Sequence, residues 1–337
     1  MTRLYSEGFE MQDTVGLDKF ACYESTDEHR SGEASLNIIG SGTLRYDVND
    51  LDELYFRIAL KASGTNTTRA AKISWRNGST VLGSANIVWT SSGYITLYVG
   101  TTAVSVGTIS NLESNWTLIE VYVKIDDATG EITAKVEGIQ DGTFSGDTKP
   151  GADTVIDNLL ISNYSSGGIG ANTAVYIDDF ALNDTAGGVD DSWCGDGHII
   201  VLKPNGDTAT IDLTPSAAVD HYTLVDDIWK DGDTTYVEGS VVDEEDIYDL
   251  EACGLGEVVI TRIWTEARAR DTAATGKNIA LITKASGGAE VSGGDVALPN
   301  SYSKKVLGAE EIVNPVDSAA WEVADIDALQ GGVRTRS

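Results

Sequence analysis

Trp116-Thr-Leu-Ile-Glu-Val-Tyr-Val-Lys-Ile125 decides the fold class of this chain. Thr117, Ile119, Val121, Val123 and Ile125 form one alternating set; Trp116, Leu118, Glu120 and Tyr122 form the other. A period of two is a strand's period, and the first set is apolar enough that it has to face a core. Asp126-Asp-Ala-Thr-Gly130 then supplies turn chemistry and Glu131-Ile-Thr-Ala-Lys-Val-Glu137 runs back. The segment reads as a hairpin.

The same pattern extends outward from this hairpin. Towards the N-terminus, Ser35–Ile39 and Thr43–Val48 flank Gly-Ser-Gly, and Leu54, Phe56, Ile58 and Leu60 share one face of another run. Ala71–Trp75 ends in Arg-Asn-Gly-Ser, a hairpin signal, and Ala85–Trp89 and Tyr94–Val99 lie on either side of Ser-Ser-Gly. Val155–Ile161 and Ala174–Leu182 follow. Short strands with turn residues every 8–12 positions predict a sandwich or barrel.

After Leu182 the chain becomes small and polar, which places a domain boundary in 185–192. The predicted architecture is all-β, with two jelly-roll-like β-sandwich domains in tandem, 1–187 and 188–337. In the second half, His198–Leu202, Ala209–Leu213 and Thr235–Val237 read as strands, and Asp246–Leu250 as a strand or a helical turn. Val258–Arg270 is the longest strand candidate, Ala324–Leu329 a short helix, and a closing strand follows it.

Composition excludes several functions. The chain has 337 residues, 53 acids against 23 bases and a formal charge of −30, which argues against nucleic acid and against an anionic membrane surface. No apolar run approaches a membrane span, and the N-terminal residues lack the apolar core of a secretory signal. Cys22, Cys194 and Cys253 are odd in number and far apart, which predicts unbridged thiols and synthesis in reducing cytoplasm. The five Asn-x-Ser/Thr sequons, beginning at Asn66, read as turn composition.

No catalytic constellation stands out, so the expectation is a protein that is not an enzyme. Asp178 and Asp179 are strand neighbours whose side chains are predicted on opposite faces, a poor acid/base pair. Either could anchor a loop or bind Ca²⁺, a hard cation that takes oxygen ligands. The three histidines are scattered, and His198 and His221 read as structural. Asp226–Asp233 has calcium-loop composition without the spacing. Trp75, Trp89 and Tyr94 sit beside turns, where a sugar-stacking platform would also sit, although core packing is the simpler reading.

Ser31–Leu36, Asn115–Val123, Gly130–Gly138 and Tyr176–Leu182 occur in an order that resembles the concanavalin A-like, laminin-G-type jelly roll over nearly all of 4–184. Some members of that family bind Ca²⁺ and glycans through rim loops. The whole chain resembles virion structural proteins of tailed bacteriophages, through Leu4–Glu10, Gly195–Asp207, Asp233–Val237 and Trp321–Arg334. That resemblance implies a capsid-decorating, head-fibre or tail-associated subunit, made in host cytoplasm and located in the virion. Its implied partners are other virion proteins and further copies of itself as a homo-oligomer. The strand carrying Arg262, Arg268 and Arg270 is the expected docking element. The alternative is a lectin-like carbohydrate-binding module, serving host adhesion through a surface glycan.

Overall fold

The alternation seen in the sequence becomes antiparallel sheet in the computed structural model, which describes residues 3–9, 17–64, 69–89, 94–109, 115–163, 173–186, 188–227, 231–288, 290–301, 305–308 and 310–337. It divides into two compact units, with the break between Ile200 and Val201. This break lies beyond the predicted 187/188 boundary. The reason is local: the chain through Ile199 is hydrogen-bonded to first-unit residues Glu120 and Asp179.

Among its described residues the first unit holds thirteen strands. They are β1 (Arg3–Glu7), β2 (Leu17–Ser25), β3 (Ser35–Leu51), β4 (Glu53–Gly64), β5 (Arg69–Asn77), β6 (Thr80–Trp89) and β7 (Ile95–Val99). β8 (Thr102–Val106), β9 (Thr117–Lys124), β10 (Gly130–Val136), β11 (Ile139–Gly146), β12 (Ile156–Asn163) and β13 (Thr173–Asn183) complete the set. The paired order is β11-β10-β9-β4-β13-β3-β12-β5-β6-β7-β8, with β1 on β13 and β2 on β3.

β3 turns this path into two layers. Leu36–Ile39 pair with β13, whereas Thr43–Asp47 pair with β12 on the other layer. Gly40, at φ 58°, lies between the two halves, where a side chain would be strained. The inward faces meet in one core: Ile119, Val121 and Val123 from β9 face it, with Ile73 and Trp75 from β5 and Ile161 from β12. At the far edges the Thr143 N–H of β11 donates to Ser105 Oγ of β8 at 3.2 Å, so the sandwich is nearly closed.

The second unit is built on an antiparallel sheet in the order 204–211, 245–250, 330–336, 278–284, 290–292. Ile247, Leu281 and Ile282 are buried on it, and Trp321, Ile326 and Leu329 form a smaller cluster. The predicted helix and closing strand appear as α1 (Val323–Ile326), with a capping box between Glu322 and Asp325, and strand Gln330–Arg336. Asp246–Leu250 lies within strand Glu245–Leu250.

Two strand expectations are corrected. Within 258–270 only Glu266–Arg268 is strand, because Val258 and Val259 are exposed (45% and 88%) and have no layer to bury against. His198–Leu202 is not strand; its backbone groups bond to side chains of other segments instead.

Candidate functional site

Asp178 and Asp179 are fully buried, and they do not face opposite sides. The β13–β4 register shifts between Asp178 and Ala181, and Asp179 takes a left-handed φ of 49°. This bulge turns both carboxylates to the same segment. Asp178 Oδ2 accepts the N–H groups of Arg30 (2.7 Å) and Ser31 (3.2 Å), and its Oδ1 accepts the Asp179 N–H. Asp179 Oδ2 accepts from Arg30 Nη1 (2.8 Å), and its Oδ1 accepts from Ser31 Oγ and the Ile199 N–H. His198 Nδ1 lies 3.4 Å from Asp179 Oδ2. Every carboxylate oxygen is filled by a donor, which is how an anion is held. Ca²⁺ does not fit here without displacing them. Burial, then the neighbouring Asp179 charge, pushes the Asp178 carboxyl up to about 7.

The outer face of β4, β9 and β10 is covered by the chain itself. Trp193 packs edge-on against Tyr55 at 5.3 Å, Tyr55 stacks on Tyr122 at 4.5 Å, and Lys135 Nζ sits 3.7 Å over the Trp193 ring. Beside them the Gly195 N–H donates to Glu120 Oε1 (2.7 Å), and Arg57 donates to the Gly195 carbonyl (3.1 Å). Burial lowers the Arg57 pKa from its ordinary value.

The opposite outer face, formed by β3, β12, β5, β6 and β7, is of another kind. Directly opposed residues of antiparallel strands place their side chains on one side, so the registers define its rows. One row runs Arg45, Leu160, Ser74, Ser84, Tyr98, and the next Thr43, Ser162, Lys72, Asn86, Thr96. Arg76, Asn158 and Asp47 form a third. Ser74 (3% exposed), Ser84 (1%) and Thr96 (7%) are sunk between taller neighbours, while Lys72, Arg76, Asn86 and Tyr98 remain partly exposed. The face is a polar strip whose small residues are buried and whose larger ones, Tyr98 among them, are partly exposed. Arg45 pairs with Asp47 at 2.7 Å, and burial, then Arg76, lowers the Lys72 pKa.

Of the aromatic candidates, Trp75 is corrected to core: it is 0% exposed on the inner side of β5. The Trp89 side chain lies outside the described residues. Tyr94 is 43% exposed and precedes β7 at the position alternate to Thr96 and Tyr98. The signal missed in the sequence was the Lys72, Ser74, Arg76 alternation on β5. Only pairing with distant strands shows what flanks it.

At one end of the sandwich a hollow of about 470 Å³ is lined by Asp50, Asp52, Asp126, Asp127 and Lys149, with Ile125, Thr154 and Val155. Asp126 Oδ1 caps the Ala128 and Thr129 N–H groups, and Lys149 pairs with Asp127 at 3.4 Å. Among the described residues no cluster of three or more His, Cys, Asp or Glu is arranged to hold a metal ion. The three cysteines are unbridged and half-buried. In the second unit Arg262 pairs with Glu310 and Arg270 with Asp233, each at 2.5 Å. No described helix is long and apolar enough to cross a membrane.

No family model matches the chain, and no curated protein matches it. Solved structures similar to it have jelly-roll or galectin-like folds. Alginate lyase Aly36B is 13% identical with a TM-score of 0.41, over 55% of this chain and 93% of that one. A carbohydrate esterase from the Shiga toxin-encoding bacteriophage phi24B is 16% identical with a TM-score of 0.41, over 54% and 97%. A Bacillus subtilis protein with a galectin-like fold is 10% identical with a TM-score of 0.36, over 54% and 96%. Most of the similar structures are enzymes, including a glucanase and a sialidase as well as the lyases and the esterase. The expectation of a non-enzymatic protein is corrected accordingly: a fold shared with such enzymes gives no ground for excluding catalysis. At these identities the likeness extends to the fold alone, which is all-β and sandwich-like.

Proposed function

We propose that the first unit binds carbohydrate on the outer face of β12, β5, β6 and β7, in a protein that serves a tailed-phage virion. The observation that supports the binding reading is the row of buried small residues flanked by partly exposed polar and aromatic ones. Sugar recognition needs a concave floor narrow enough for a chain of rings, hydrogen-bonding groups for hydroxyls and an aromatic surface for ring faces. Ser74 and Ser84 supply the floor, Asn86 and Lys72 the polar groups, and Tyr98 the aromatic wall. Among the described residues, Trp193 and Gly195 cover the other outer face.

The virion assignment rests on the sequence resemblance at Gly195–Asp207 and Trp321–Arg334. Partners in that reading are other virion proteins, further copies of this chain and a host-surface glycan, which would make the protein an adhesion subunit.

The test is an array of bacterial surface polysaccharides probed with the purified protein, with and without chelator. The expected result is binding that survives chelation and falls at least tenfold in Tyr98→Ala and Asn86→Ala. Absence of binding to every glycan overturns the carbohydrate reading. Mass spectrometry of purified particles checks the virion reading, which fails if the chain is missing from them.

A further inference from the structure

We infer that the first unit self-associates edge to edge, through an antiparallel pairing of β2 with β2 of a second copy. The inference is independent of the carbohydrate and virion readings, and either can fail while it stands. Three observations carry it.

First, β2 is an open edge that carries exposed aromatic side chains. It is nine residues long, and among the described residues its backbone pairs with β3 alone. A strand with one neighbour presents a second row of N–H and C=O groups to any strand that fits. Phe20 is 65% exposed, more than any other large apolar side chain described in the first unit, and Tyr23 is 57% exposed.

Second, the sequence of the strand complements itself. Set antiparallel about an axis between Ala21 and Cys22, β2 places Lys19 opposite Glu24 of the second copy and Phe20 opposite its Tyr23. Each match occurs twice across the two-fold axis. Cross-strand pairs of opposite charge and of two aromatic rings are ones that stabilise a ladder. Asp18, which stands opposite Arg45 in the β2–β3 ladder, falls opposite Ser25 of the second copy. A slip of one residue sets Glu24 opposite Asp18 or Phe20, and loses both matches.

Third, the course of β2 suits a two-fold axis at that point. The ladder to β3 is interrupted after Phe20, and Ala21 takes a left-handed φ of 50°. Residues 17–20 run along 43–46 in the β12 layer, and 22–25 along 35–38 in the β13 layer. Pairing across the axis joins the first half of one copy to the second half of the other, so both layers continue from one sandwich into the next. A lysine and a bulge on an edge strand ordinarily deter such contacts. Here Lys19 is neutralised by an ion pair with Glu24 of its own strand, and the bulge lies on the axis. Two copies bring together two lysines and two glutamates, a set with no net charge.

The formal charge of −30 on each chain makes the copies repel at long range. The Debye length of about 8 Å at 0.15 M salt screens that repulsion, so contacts along the edge decide affinity.

The experiment is sedimentation of the full chain over a range of concentrations at 0.15 M salt, with edge variants beside it. The expected result is a reversible monomer–dimer equilibrium. Phe20→Lys, at an exposed position, should weaken it about tenfold or more. Lys19→Glu and Glu24→Lys should each weaken it as well, because each sets like charges opposite one another. Mixed in equal amounts, these two variants should recover dimer, since the mixed pair restores opposite charges at both contacts. Recovery on mixing also separates edge pairing from misfolding, which mixing does not repair. A chain that stays monomeric at every concentration overturns the inference, including where another protein takes the edge instead. A dimer unaffected by Phe20→Lys and by both charge variants overturns it too, because association then uses a different surface. Charge variants that weaken the dimer without recovery on mixing overturn it as well, because the register is then wrong.

Discussion

Arg30 Nη1 and Asp179 Oδ2 lie 2.8 Å apart across 149 positions of sequence, the carboxylate fully buried and the guanidinium 12% exposed. Around this pair the 30–31 turn, the β13 bulge and the 195–199 segment are joined: Arg30 also donates to the Gly197 carbonyl (3.2 Å), and Asp179 holds the Ile199 N–H (2.8 Å). Burial and desolvation would penalise either charge alone, so each depends on the other.

Asp179→Ala is therefore expected to destabilise the first unit by about 3–5 kcal/mol, the usual cost of removing one partner from a buried pair. It leaves Arg30 with Asp196 and the Gly197 carbonyl, and the Ile199 N–H without its acceptor. Urea unfolding of the full chain checks this; a loss below about 1 kcal/mol would show that the pair contributes little.

Asp178 predicts a pH dependence whose sign follows from burial. Its folded pKa is raised to about 7, above the ordinary carboxylate value of about 3.9. Between those values the folded state keeps a proton that the unfolded state has lost. The stability gained in acid is thus fully present below about pH 4 and is lost as pH rises through 7. Asp178→Asn should flatten this slope. Unfolding midpoints of both proteins at pH 4.5 and 7.5 test it, and parallel pH profiles would refute it.

Gly83 gives a steric prediction. A Cβ at this position would lie 2.5 Å from Trp75 Nε1 and 2.6 Å from two ring carbons, and Trp75 has no room to move in the core. Gly83→Ala should cost about 1–3 kcal/mol by overpacking, measured as a lower thermal transition. Gly78→Ala should be milder: its φ of 56° is strained for alanine, but no atom lies within 4 Å of the added Cβ.

In the second unit Asp246 is the corresponding buried carboxylate. Its Oδ1 accepts the Asp212 and Leu213 N–H groups at 2.8 and 2.9 Å; its Oδ2 lies 2.8 Å from both the Tyr248 hydroxyl and His221 Nδ1. Burial, then the Asp246 charge, raises the Tyr248 pKa, so the phenol stays a donor. Asp246→Ala should lose about 3 kcal/mol or more by leaving several buried donors unpaired. His221→Ala should lose less. The order of the two unfolding midpoints is the check.

Alternation by itself determined the all-β class and the inner faces. Ile119, Val121 and Val123 were legible as core because burying every second residue is a local property of a strand. A short helix before the closing strand was legible too, read at Ala324–Leu329 and found at Val323–Ile326. Val258–Arg270 misled because β-rich composition does not supply a layer to pack on, and Val259 stays 88% exposed. Tertiary structure alone decided the rest. The bulge in β13 turned Asp178 and Asp179 to one segment. Register set Lys72 beside Asn86, and Ser74 beside Ser84 with Tyr98 next in the row. Both depend on which distant strands pair and where the ladder slips. A single strand's pattern does not encode that, because the pairing energy belongs to two strands at once.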